Sequence, residues 1–192
     1  MTIATFINEK LPRFVDAFDA VVNGATDMIK TSAETRKRLT FLCGIHHEGW
    51  RAPAMKYLVD FATNEKETDS FFKRLERLAY MLQYSGRPRD VRQRRYRKLL
   101  DAMDQPGWMD DPNSPLDLSA AETSDFKERL RGRFPNFKQR RALLMRINAA
   151  VPDGRVLPLD ADATVEHILP RNPPRESDWF RTWDKKRDRD EL

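Results

Sequence analysis

Glu166 and His167 stand side by side in ATVEHILPRN, residues 163–172, and their types are those of hydrolytic chemistry. A neutral imidazole near its pKa can take a proton from water. A carboxylate beside it can hold a hard divalent cation, which binds oxygen ligands. Neighbouring side chains on a strand point to opposite faces. The pair can therefore share a cleft only at a strand end, where Pro170 stops the run. The competing reading is a histidine held by ordinary hydrogen bonds at such an end.

Two other clusters hold reactive or charged types. SGRPRDVRQRRYRK, residues 85–98, sets six arginines and Lys98 against the single acid Asp90. Arg89, Arg92, Arg94 and Arg95 are the candidate nucleic-acid contacts, because clustered guanidinium groups displace counterions from a phosphate backbone. The plainer alternative is a solvated helix face whose arginine stems cover apolar surface. HHEGW, residues 46–50, offers His46, His47 and Glu48. Sequential residues cannot all converge on one metal, and no spaced partner is visible. A helix-end position, with an imidazolium meeting the negative end of the dipole, is the expectation there. Trp108, Trp179 and Trp183 are candidate anchors for a partner, with burial the equal alternative for Trp108.

These clusters must be carried by helices over most of the chain. Phe6, Leu11, Phe14, Val15, Phe18, Val21 and Val22 recur at threes and fours and predict one apolar stripe, with a start or kink at Pro12. Ser32 reads as the N-cap of a second helix that turns Leu39, Leu42 and Ile45 inward. Helical spacing continues through Met55–Ala62, through Phe71–Leu82 and over 88–104. QPGWMDDPNSPLDLS, residues 105–119, breaks the pattern with three prolines and a glycine and reads as a loop and internal boundary. Asp117 or Ser119 then caps a helix to about Arg133, and another follows Pro135, with Arg140, Arg141 and Arg146 on its polar side. Two β-prone pieces, Arg155–Leu159 and Thr164–Ile168, flank the chemistry. A short charged helix carries Trp179, Phe180 and Trp183.

Composition narrows the function classes. The 192 residues carry a net charge of +5, with 40% hydrophobic and 34% charged residues, a balance that suits a folded domain with a charged surface. A pI of about 9.4 fits a polyanion partner. No run of 18 apolar residues predicts a membrane span, and the N-terminus lacks the pattern of a secretory signal. The final RDEL reads as chance. Cys43, the single cysteine, allows no intrachain disulfide, fits a cytoplasmic location, and reads as a small buried hydrophobe. There is no internal repeat and no glycine-rich phosphate loop.

TVEHILPRN, followed by DWF and a further tryptophan, resembles the C-terminal domain of GmrSD-type restriction proteins, which are HNH (His-Me finger) nucleases. FKQRRALLMRINAAV looks like the helix that precedes this motif in the family, and the helical 33–104 region, with GWRAPAMKYL, is similar to its middle section. The resemblance implies a mainly α fold: a multi-helix bundle followed by a short β-hairpin-like start of a ββα-metal nuclease motif. It implies His167 as the base that activates water and Glu166 as ligand to one divalent metal, Mg or Mn, with DNA as partner. The corresponding division is a helical domain over 1–104, a linker over 105–118, and helices plus an incomplete HNH-like motif over 119–192. Only 25 residues follow His167. The family's asparagine-bearing strand and helix are not found there, and no segment resembles its N-terminal NTPase-like half. The expectation is thus a truncated endonuclease, inactive alone, whose missing half or partner subunit completes it. The rival expectation is a noncatalytic helical module that binds nucleic acid or protein.

Overall fold

A computed structural model of the chain describes residues 2–23, 31–131, 137–151, 172–183 and 185. All regular structure among these residues is helical, as the mainly α expectation requires. The chain opens with α1 (Ile3–Thr5), a π-helical turn (Phe6–Lys10) and α2 (Leu11–Asn23). Then follow α3 (Ala33–Cys43), α4 (Arg51–Asp60), α5 (Glu65–Tyr84) and α6 (Arg89–Ala102). Beyond the 103–119 loop come α7 (Ala120–Arg131), α8 (Phe137–Asn148) and α9 (Asp178–Thr182). Both expected β-prone pieces, with Glu166 and His167, lie outside the described residues, and no strand occurs among those described.

Local chemistry explains the boundaries. Pro12 has no N–H to give Asn8, and its ring crowds that carbonyl; the turn before it widens, so that Leu11 N–H reaches back to Phe6 O. Ser32 caps α3 by accepting from Thr35 N–H at 2.9 Å. The Ser32 and Thr35 hydroxyls both donate to Asp69, which ties the start of α3 to α5. Asn64 caps α5 through Glu67 N–H at 2.8 Å. Ser119, not Asp117, caps α7 in a reciprocal box: its Oγ accepts from Glu122 N–H at 3.1 Å and its N–H donates to Glu122 Oε2 at 3.0 Å.

The core lies around α5, against which α3 and α7 pack, while α4 packs on both α2 and α6. Leu39 and Leu42 of α3, Tyr57 of α4, and Phe71, Phe72, Leu75 and Leu78 of α5 are fully buried. Tyr57 and Phe71 stack with ring centroids 3.8 Å apart. The expected stripe on the first helix needs correction. Ala17, Ala20 and Val21 are its buried residues, whereas Leu11, Val15 and Phe18 stay exposed. Small side chains allow the close approach, Phe14 packs partly buried beside them, and Leu11, Val15 and Phe18 are left on the outer side.

Buried polar fasteners hold the rest. Glu76, 4% exposed, accepts from Arg38 Nη1 at 2.8 Å and from Arg146 Nε at 2.5 Å. Arg146 also lies over the Phe41 ring, 5.0 Å from its centroid, so it is a bolt joining α8 to α5 rather than the solvated residue its local sequence implies. The 105–118 segment packs on the helices instead of crossing open solvent. Trp108, 7% exposed, meets Phe61, Phe71 and Tyr57 edge-on. Arg74 grips Asp117 with two bonds of 2.9 and 2.6 Å and donates to Met109 O at 2.8 Å.

The chain divides into two compact units, 1–159 and 160–192. The first therefore runs through the 105–118 segment. In the second, Ser177 caps α9 by accepting from Phe180 N–H at 3.2 Å, and Trp179 is exposed.

Candidate functional site

GIHHEGW, residues 44–50, carries the chain from α3 to α4 and forms one wall of a cleft. The His47 ring turns toward α5, with Nε2 3.1 Å from Ala79 O. A carbonyl only accepts, so Nε2 carries the hydrogen and Nδ1 is a bare acceptor. Nδ1 is buried and has no hydrogen-bond partner among the described residues. Burial pulls the His47 pKa down to about 4; the bond to Ala79 opposes this and the nearby charge of Arg92 adds to it. The ring is neutral at physiological pH. The expected imidazolium at a helix end is thereby corrected for His47, because desolvation outweighs what the dipole offers.

The facing wall comes from α6. Arg89, Arg92, Gln93 and Tyr96 are spaced i, i+3, i+4, i+7, which places them on one helical face. Tyr96 is 3% exposed, and its hydroxyl is a second buried group with no partner among the described residues. Its ring centroid lies 5.6 Å from that of His47, at a tilt of 46°. Burial pushes the Tyr96 pKa up, against the pull of Arg92, so the phenol keeps its proton. Arg92 Nη1 donates to Arg87 O at 2.8 Å, which holds the guanidinium in place beside both rings. A Cβ at Gly49 would stand 2.6 Å from Tyr96 Cδ2, so only glycine lets the two walls come this close. At the mouth, Glu48 is paired with Arg51 at 2.8 Å, and among the described residues no other carboxylate lines the cleft to offset Arg89 and Arg92. The cleft holds about 380 Å³ and opens to solvent.

The four arginines expected to meet nucleic acid separate into different roles. Arg89 is exposed and Arg92 is half-buried in the cleft. Arg94 is exposed but paired with Asp90 at 2.8 Å. Arg95 points the other way: it donates to Pro115 O at 2.6 Å and Asp117 O at 2.5 Å, and pairs with Glu122. It is a fastener of the 105–118 segment. Arg97 and Lys98, outside the expected set, are exposed. Arg89, Arg92, Arg97 and Lys98 have no carboxylate partner among the described residues. Gly49, Gln93 and Tyr96 are the cleft residues that sequence reading missed. The usable signal was the i, i+3, i+7 spacing of Arg89, Arg92 and Tyr96, which shares a face although Tyr96 alone reads as core.

Glu166 and His167 lie outside the described residues, so their mutual geometry is not among the structural findings. Among the described residues no group of three or more His, Cys, Asp or Glu side chains could hold a metal ion. No described helix is long and apolar enough to cross a membrane. No protein-family model matches the chain, and no curated protein or solved structure matches it.

Proposed function

We propose that this protein binds DNA through the cations of α6 and serves a DNA-cleaving restriction activity of the GmrSD type. In that reading Glu166 and His167 belong to the cleavage end: His167 takes the proton of the attacking water and Glu166 holds one divalent metal. The metal would supply charge stabilisation at the scissile phosphate. The observation that carries the DNA contact is the set of four cations on α6, Arg89, Arg92, Arg97 and Lys98, that no carboxylate neutralises among the described residues. Arg89 and Arg92 line the cleft and Arg97 and Lys98 are exposed further along, so the four span about 13 Å of helix at 1.5 Å per residue without sharing one face.

The test is fluorescence anisotropy with labelled duplex DNA over a salt series. Four engaged cations predict a log–log salt slope of about −3.6, and each single neutralisation, Arg89→Gln for example, should flatten it by about 0.9. A slope near zero, or binding indifferent to all four substitutions, refutes the reading. A nicking assay with Mg or Mn on the full-length protein tests the chemistry, and activity there should vanish in His167→Ala. Binding without metal-dependent nicking assigns the protein to the noncatalytic helical modules instead.

A further inference from the structure

We propose that the cleft between His47 and Tyr96 is a phosphate site selective for the protonated anion, a form that carries a P–OH. Four groups of its walls have complementary needs, and two of them, His47 Nδ1 and the Tyr96 hydroxyl, are shut off from water until a ligand settles between the walls. Arg89 and Arg92 are donors only, and the donors of Arg92 beyond its bond to Arg87 O have no protein partner among the described residues. The Tyr96 hydroxyl is buried and unpartnered, and can donate a third hydrogen bond. His47 is held by Ala79 O in the tautomer whose Nδ1 can only accept. The two ring nitrogens diverge, so Nε2 bonded to α5 leaves Nδ1 directed away from that helix.

A ligand that satisfies all four presents several anionic oxygens and one hydroxyl on the same small centre. Protonated phosphate does this. Sulfate does not, since it would set an oxygen lone pair against the bare Nδ1, and a buried acceptor facing an acceptor is costly. The size agrees: about 380 Å³ is at the small end of ligand sites, which run from about 300 to 1,000 Å³. A phosphate with a small organic group fits this space and a duplex does not. Gly49 has a reason in the same picture, because any side chain there would push Tyr96 out of its position. The occupant is inorganic phosphate, a small phosphate ester, or the terminal phosphate of a nucleic-acid strand. The site stands whether or not α6 grips DNA.

The full chain is titrated by calorimetry with inorganic phosphate and separately with sulfate, at matched ionic strength and about pH 6, near the second pKa of a phosphate ester. His46, Glu48, Arg89 and Arg92 line the cleft, with Arg51 paired to Glu48, and these charges act on both anions alike, so sulfate reports their bulk effect. Phosphate should bind about tenfold more tightly than sulfate, a difference of one satisfied against one opposed hydrogen bond. Tyr96→Phe, which keeps the packed ring, should weaken phosphate binding about five- to tenfold, and Arg92→Gln should weaken it at least as much. Arg94→Gln, outside the cleft, should leave it unchanged. Competition with 5′-phosphorylated and 5′-hydroxyl oligonucleotides then names the source. A phosphorylated end that displaces phosphate while the hydroxyl end does not assigns a strand terminus, and no displacement by either assigns a small phosphate. Absence of phosphate binding overturns the proposal. So does equal affinity for sulfate, or indifference to both Tyr96→Phe and Arg92→Gln.

Discussion

Acidification toward pH 4 should destabilise the helical body through His47. In the folded chain the pKa of this ring is held at about 4, against an ordinary value near 6.5, chiefly by burial. Between those two values the unfolded chain binds a proton that the folded chain refuses. Acid therefore favours unfolding: the contribution of the neutral ring is fully present above about pH 6.5 and is lost as the pH falls to about 4. At 1.36 kcal/mol for each pKa unit, the whole interval amounts to about 3 kcal/mol, a large fraction of the 5–15 kcal/mol that holds a typical domain. Urea unfolding at about pH 7.5 and about pH 4.5 measures it, in the native chain and in His47→Gln. Glutamine does not titrate, and its side-chain N–H can still reach Ala79 O. Carboxylate protonation elsewhere acts on both chains and cancels in the difference. The native chain should lose about 2–3 kcal/mol more than the variant over this window. Equal losses would show that the ring accepts its proton without cost, and the assignment of a buried neutral His47 would fail.

Removing Glu76 leaves two guanidinium groups facing each other in a buried space, so Glu76→Ala should cost about 3–5 kcal/mol in urea unfolding; a loss under about 1 kcal/mol would mean that water already screens the triad. Trp108→Ala should cost a similar amount, about 3–5 kcal/mol, by opening a cavity against Tyr57, Phe61 and Phe71; if the segment were a slack connection, unfolding would hardly change. Cys43 donates its thiol to Val21 O at 3.2 Å and has its pKa raised by burial, against the pull of Arg51, so a thiol-specific reagent should label it slowly in the native state and fully in denaturant; fast native labelling contradicts its placement. Arg95→Gln should lower stability by about 1–3 kcal/mol by leaving two loop carbonyls short of donors, with little change in DNA affinity, while Arg97→Gln with Lys98→Gln should do the reverse. The same loss of DNA binding in both variants would merge the two roles.

Legibility from sequence followed the range of the forces involved. Ser32, Leu39, Leu42 and the Phe71–Leu82 run read correctly, because a cap acts over three residues and a helical stripe over a few turns. Pro12 marked its own disturbance, although the widened turn it produces falls before it rather than at it. Ser119 outcompeted Asp117 as cap because Glu122 stands three residues on and closes the box from the other side. Glu76 was illegible: its burial depends on Arg38 and on Arg146, which is 70 positions away. The same distance hid the cleft. His46, His47 and Glu48 have no spaced partner nearby, and the face that completes their pocket begins at Arg89, some forty residues later. Arg95 and Arg97 carry the same side chain two positions apart, yet about 100° of helical rotation per residue sends one to the loop and the other to solvent.

That last separation bears on what the net positive charge does. Arg38, Arg74, Arg95 and Arg146 each meet a carboxylate or backbone carbonyls inside the fold, where a planar fork of donors can satisfy several acceptors at once. Those cations are neutralised by the scaffold and contribute little field to its exterior. On α6 the charges left without a carboxylate lie on the outward row and at the cleft, within one helix of 14 residues. An evenly basic surface would attract any polyanion weakly from all sides. A cluster of charges on one helix, with a small donor-rich cavity opening from the same element, orients what it attracts. The surface charge that would draw a phosphate backbone in and the buried donors that would grip a single phosphate group are then successive parts of one approach.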